Sequence, residues 1–176
     1  QYVEYFRSNL ANDTRLFAFD VDATVGEDGS IVLSGYVEFP ETLRGIKEFL
    51  TALGFEKIRD EIEILPSKNL GEKPFGLVKT THTLSYSQPR EPREVVTDCL
   101  LGEPLYLLKE EGDHLLVHSR EGYLGYVAAA DVHRCSAAAF DRYPTDSCVR
   151  IVTEHQVPDG LTLPAGAILK KLPGDP

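Results

Sequence analysis

LLGEPLYLLKEEGDHLLVHSREGYLGYV, residues 100–127, sets the expectation for the second half of the chain. Two apolar runs, Leu105 to Leu108 and Leu115 to Val117, flank the polar 109–113, with Gly112 in the turn. That pattern predicts a hairpin with a bulged or longer turn. A second turn at 120–122 leads directly into Tyr123 to Val127. Three short strands this close together leave no room for a helix and predict a small β-barrel.

Gly102-Glu103-Pro104, Glu111-Gly112-Asp113 and Glu121-Gly122-Tyr123-Leu124-Gly125-Tyr126-Val127 follow one another in an order that resembles a bacterial SH3-like domain. In particular it is similar to the domain that precedes the catalytic domain of NlpC-type cell-wall cysteine endopeptidases. That family usually carries Trp after Gly-Asp and Trp before the closing Val; here those places hold His114 and Tyr126, and the chain contains no Trp. The resemblance covers residues 75–134. It implies that this barrel helps to wall a substrate cleft, with Arg93, Glu94, Tyr123 and Tyr126 as residues facing the ligand.

Outward toward the N-terminus the periodicity changes. Val3, Phe6 and Leu10 lie on one side of a helix over 2–12, ended by Asn12 and Asp13. From Phe17 the period is two: Phe17, Phe19, Val21, Ala23 and Val25 alternate with polar residues in a half-buried strand. Glu27-Asp28-Gly29 turns the chain into a second strand of Ile31, Leu33, Gly35, Val37 and Phe39. Pro40-Glu41-Thr42 opens a helix with an apolar face of Leu43, Ile46, Phe49, Leu50 and Leu53, stopped at Gly54. Ile58, Ile62 and Ile64 complete an αββαβ unit. Gly29, Val32, Leu33, Ser34, Gly35 and Val37 match the pattern of a BON domain, and the resemblance spans residues 2–66. It implies an envelope protein that binds phospholipid or cell-wall components, so attachment rather than catalysis.

The expected organisation is therefore an α+β chain. An αββαβ BON-like domain occupies 1–66, a linker 67–74 and a small SH3-like β-barrel 75–135. A Pro-rich extension over 136–176, with Tyr143-Pro144, Val157-Pro158-Asp159-Gly160, Leu163-Pro164 and Leu172-Pro173, is either a strap across the barrel or the first strands of a second one.

Acidic side chains number 28 against 18 basic ones, a formal charge of −10. Such a chain is repelled by polyanions, which argues against nucleic acid and anionic bilayers as partners. No apolar run reaches the roughly 18 residues of a membrane helix. The chain begins at Gln1 and contains no Met, so a removed leader or a longer parent chain is expected, with a periplasmic or secreted location. Cys99, Cys135 and Cys148 cannot all pair with one another; Cys135 and Cys148 form one bridge, or all three are thiols.

A cysteine peptidase requires a thiolate, a base and an orienting group in one cleft. Cys99 sits within a strand pattern instead of opening a helix, which reads as a structural thiol. His114 and His118 have the spacing of a helical metal pair, but on a strand they stand roughly 13 Å apart. Asp20 and Asp22 read as a solvated strand face, and no phosphate loop, dinucleotide fingerprint or nucleophile elbow is present. No catalytic residue, metal or cofactor is expected. Tyr86, Tyr106, Tyr123 and Tyr126 either fill the small core or line an aromatic peptide groove. The expected role is a non-catalytic envelope-binding segment that recognises peptidoglycan stem peptides, the targeting part of an NlpC-type endopeptidase. A stand-alone adaptor that holds other envelope proteins is the alternative, and a small hydrolase built on Cys99 a third.

Overall fold

The computed structural model describes residues 1–10, 13–141, 148–158 and 160–171. Asn12, Tyr143-Pro144, Asp159 and Leu172-Pro173 lie outside the described residues. The chain divides into two compact units, Gln1–Ser67 and Lys68–Pro176.

In the first unit α1 (Tyr2–Leu10) precedes β1 (Phe19–Val25), β2 (Ile31–Val37), α2 (Pro40–Ala52) and β3 (Ile58–Ile64). The sheet order is β1-β2-β3, with β1 antiparallel and β3 parallel to β2. The period-two residues point to the helices: Val3, Phe17, Phe19, Leu33, Val37, Ile46 and Leu50 form one buried cluster. Alternation overstates this core at one end, because Val25 is 73% exposed at the open end of β1. The β1–β2 turn is held by Asp28, whose Oδ1 accepts from the Ser30 hydroxyl at 2.6 Å and from its amide at 3.1 Å. Those bonds favour the ionised form and lower the Asp28 pKa. Gly35 (φ 109°) lies opposite Val21, where a Cβ would overlap the carbonyl oxygen of Asp20, so the central strand requires glycine there.

The second unit is a seven-stranded sheet of β4 (Phe75–Val78), β5 (His82–Tyr86), β6 (Val95–Leu100), β7 (Pro104–Glu111), β8 (His114–His118), β9 (Leu124–Ala128) and β10 (Val132–Cys135). The order is β10-β4-β7-β8-β9-β5-β6. The expected closed barrel is thus corrected: among the described residues the ladder ends at β10 and at β6. The sheet nevertheless curls strongly. β6 passes into β7 through Leu101, Gly102 and Glu103 alone, although the two strands are far apart in the order. Gly102 N–H donates to Val78 O at 2.8 Å, and Val78 N–H to Glu103 O at 3.1 Å, pinning the corner. Cys99 of one edge strand and Val132 of the other consequently share a core with Leu105, Leu107, Leu115, Val117 and Val127.

Where a bulged or longer turn was expected, the β7–β8 hairpin has a tight turn and carries its irregularity in the strand. Glu111 pairs with His114, so only Gly112 and Asp113 form the turn, with Gly112 at φ 62°. The irregularity lies inside β7, between Leu107 and Lys109, where the intervening Leu108 is fully buried. The segment 67–74 also differs from a free tether. Leu70, in a short 3-10 turn over Lys68–Leu70, is buried in the sheet core, and its carbonyl accepts from Arg134 Nη2 at 2.8 Å.

Beyond β10, Ser136 caps the short α3 (Ala137–Phe140). Two small antiparallel pairs follow, β11 (Cys148–Arg150) with β14 (Ile168–Lys170) and β12 (His155–Gln156) with β13 (Thr162–Leu163). The extension packs within the second unit: Ile168 N–H donates to Leu101 O at 2.9 Å, and Ala167 is fully buried.

Candidate functional site

The period of two and the strand register place Tyr86, Tyr126 and Leu116 in one cross-strand row, with His114 and Ala128 on the same face. The loop between β5 and β6 brings Arg93 over this face. Its guanidinium carbon lies 3.7 Å from the centre of the Tyr86 ring, a cation–π contact. Arg93 Nε donates to Glu91 Oε1 at 2.9 Å, and Nη1 lies 3.3 Å from His114 Nε2. Arginine can only donate, so Nε2 accepts and the His114 proton sits on Nδ1, 2.6 Å from Asp113 Oδ1.

Tyr86, Arg93 and His114 line a cleft of about 330 Å³ together with His82, Thr83, Leu84, Ala128 and Asp131. Each polar wall residue has an orienting partner. His82 Nδ1 lies 2.9 Å from Asp98 Oδ1 across the β5–β6 ladder, and the Thr83 hydroxyl donates to Asp131 Oδ2 at 2.9 Å. The cleft thus combines a fixed guanidinium, two carboxylate-oriented imidazoles, an aromatic face and a carboxylate. That set can bind a short polar chain by hydrogen bonds and stacking.

The six residues expected to face a ligand fall in different places. Tyr86 and Arg93 meet in this cleft. Glu94 is exposed beside it, and its backbone pairs with Ser87. Tyr106 packs against Phe75, which stacks on Phe140 with ring centres 4.5 Å apart. Tyr126 is buried, its hydroxyl donating to Glu111 Oε2 at 3.2 Å. Tyr123 is half-buried in the turn before β9, its carbonyl accepting from Ser119 N–H. Gly125 does not leave room for a ligand. A Cβ there would run into Ser85 Oγ and lie 3.0 Å from the Tyr86 carbonyl, so the glycine permits close strand packing.

His82, His114, Thr83 and Asp131 escaped sequence reasoning. The one available signal was His114 itself, an imidazole where the resembled family carries Trp; its partner Arg93 lies 21 residues away. His114 and His118 do not act as a pair, since His118 Nδ1 bonds the Gly122 carbonyl at 2.9 Å. Among the described residues no three His, Cys, Asp or Glu side chains converge to hold a metal ion.

Cys99 is 1% exposed, and desolvation, followed by the charges of Glu103, Asp98 and Glu121, pushes its thiol up to about 12. That shift keeps the thiol protonated at neutral pH. Cys135 is also raised by burial, partly offset by Lys73. All three cysteines are unpaired thiols.

No protein-family model matches the chain, and no curated protein matches it. Among solved structures it is similar to an NlpC/P60 endopeptidase from Photobacterium damselae subsp. piscicida, with a TM-score of 0.51 and 16% sequence identity. The match covers 62% of this chain, more than Gln1–Ser67 could supply, so part of the second unit lies within it. At that identity the likeness is one of fold. The chain spans 29% of the length of the structure it matches. No helix among the described residues is long and apolar enough to cross a membrane.

Proposed function

We propose that this chain is a non-catalytic, cell-envelope-binding segment that recognises peptidoglycan stem peptides, as the targeting part of an NlpC-type endopeptidase located in the periplasm or secreted. The observation that carries the reading is the cleft in which Arg93 lies over the Tyr86 ring between Glu91 and His114. A planar guanidinium held in place suits the carboxylates of short acidic peptides. Thr83, Asp131 and His82 add polar groups to the lining. The fold likeness to an NlpC/P60 endopeptidase supports the family setting, and the buried Cys99 supports a binding role for this chain. A BON-like first unit joined to an SH3-like second unit is the architecture that accompanies this reading.

Calorimetric titration with purified stem-peptide fragments tests it. Binding should weaken at least about tenfold in Arg93→Ala and in Tyr86→Ala, the size of one charge-assisted contact. Tyr106→Ala, in the separate Phe75 cluster, should bind as the parent does. Absence of binding by the parent chain would refute the proposal.

A further inference from the structure

Of the two imidazoles lining the cleft, His114 is the one that touches the arginine. Its side chain is 15% exposed, and both ring nitrogens have partners: Nδ1 faces Asp113 and Nε2 faces Arg93 Nη1. We infer that His114 is a positioning residue that holds Arg93 over Tyr86 while its ring is neutral and releases it when the ring is protonated. The inference rests on the peptide-binding reading for its functional consequence, not for its geometry.

In the arrangement observed, the Arg93 Nη1–H bond needs the lone pair of Nε2. A proton taken from solvent onto Nε2 removes that lone pair, breaks the bond and places two cations at a separation of 3.3 Å. The Nδ1–H bond to Asp113 survives and draws the imidazolium to the exposed carboxylate, which is 94% accessible. Arg93 is then held by Glu91, itself 75% exposed, and an exposed ion pair of that kind is weak. The guanidinium leaves the Tyr86 ring and follows Glu91 outward.

The other charged groups around His114 do not reverse this sign. Glu111, opposite it across the hairpin, is engaged by Lys109 at 3.5 Å and by the Tyr126 hydroxyl. Ala128, its partner on β9, is neutral. On the remaining cleft wall Asp131 accepts from Thr83, and His82 faces Asp98. His82 is the one other imidazole lining the cleft, so it requires its own control. Trp, the residue the resembled family carries at this position, has an indole N–H that only donates and could not accept from an arginine.

The experiment uses the whole chain with isotopically labelled arginine and follows the ring-current shift that Tyr86 imposes on the Arg93 Cδ protons. The titration runs from about pH 8 to about pH 5, the span in which histidine changes charge. The parent should lose the shift as pH falls, as should His82→Asn. His114→Gln, whose amide oxygen accepts but cannot become charged, should keep it. Asp113→Asn, a substitution on an exposed turn, should move the loss to lower pH, because the carboxylate that balances the imidazolium is gone. Retention of the shift by the parent at pH 5, or an identical loss in His114→Gln, overturns the inference.

Stem-peptide binding read in parallel separates the two claims. The parent should bind about tenfold more weakly at the acid end, the worth of one charge-assisted hydrogen bond, and His114→Gln should bind equally at both ends. Parent binding that is indifferent to pH overturns the role of His114. A ring-current shift that titrates without peptide binding at either pH refutes the peptide-binding reading and supports the positioning role.

Discussion

In residues 1–67 a three-stranded sheet is covered on one face by two helices, whereas in residues 68–176 a seven-stranded sheet curls until its own edges share a core. The first solution leaves a wet face. Asp20, Tyr36 and Glu63 stand abreast on it, as do Asp22, Ser34 and Glu61. The second buries both faces of its central strands: Leu115, Leu116 and Val117 are all buried, and so are Gly125, Tyr126 and Val127. A strand with one wet face advertises its period in the sequence, while one buried on both faces reads as an unbroken apolar run. The cleft proposed to bind peptide follows the same division. In the second unit the loop between β5 and β6 carries Arg93 to Tyr86 and His114.

The comparison breaks first at the core. Tyr126→Ala should cost about 3–5 kcal/mol and Leu33→Ala about 2–5 kcal/mol. Amide hydrogen exchange should show the first loss in residues 68–176 and the second in residues 1–67. Loss spread evenly over the chain by either variant would mean that the two units do not bury their sheets separately.

Close strand approach sharpens it next. Gly125→Ala should destabilise the second unit by about 1–3 kcal/mol through overpacking against Ser85. Ser85 Oγ is buried without a hydrogen-bond partner among the described residues, so Ser85→Ala alone should cost little. The double variant should be less destabilised than the sum of the two, and strict additivity in denaturant melts would remove the proposed contact.

Alkaline pH probes the shared core directly. The Cys99 thiol is raised to about 12 in the folded chain, above its unfolded value. Above the unfolded value the unfolded state releases this proton first, so stability falls as pH rises toward 12. The slope attributable to Cys99 approaches about 1.4 kcal/mol per pH unit. Cys99→Ala should remove that part of the slope; parallel curves for parent and variant would place the thiol in contact with water. The smallest effect belongs to Tyr123, outside β9: Tyr123→Ala should shift stability by no more than about 0.5 kcal/mol. A melting loss equal to that of Tyr126→Ala would contradict their different burial.

The order of elements in the first unit was legible because each changes period where a turn residue permits it: helix to strand before Phe19, hairpin at Gly29, helix at Pro40 and its end at Gly54. The hairpin over 104–118 was legible for the same reason. The open sheet was not, and a barrel was expected in its place. Local pattern defines strands but says nothing about which edges pair, and among the described residues the ladder ends at β10 and β6. The ring positions of the tyrosines were equally hidden, since four tyrosines of similar local context became a cleft wall, an aromatic cluster, a turn residue and a buried strand partner.

By itself the sequence determined what is local: amphipathic period, turn glycines and acidic charge. Tertiary structure alone decided what depends on residues distant in the chain. It set Arg93 against His114 and Tyr86, Thr83 against Asp131, and Ser85 in the space that Gly125 leaves. Hydrogen bonds and ring contacts act over a few ångströms of space, so partners separated by 21, 48 or 40 residues leave no periodic trace along the chain.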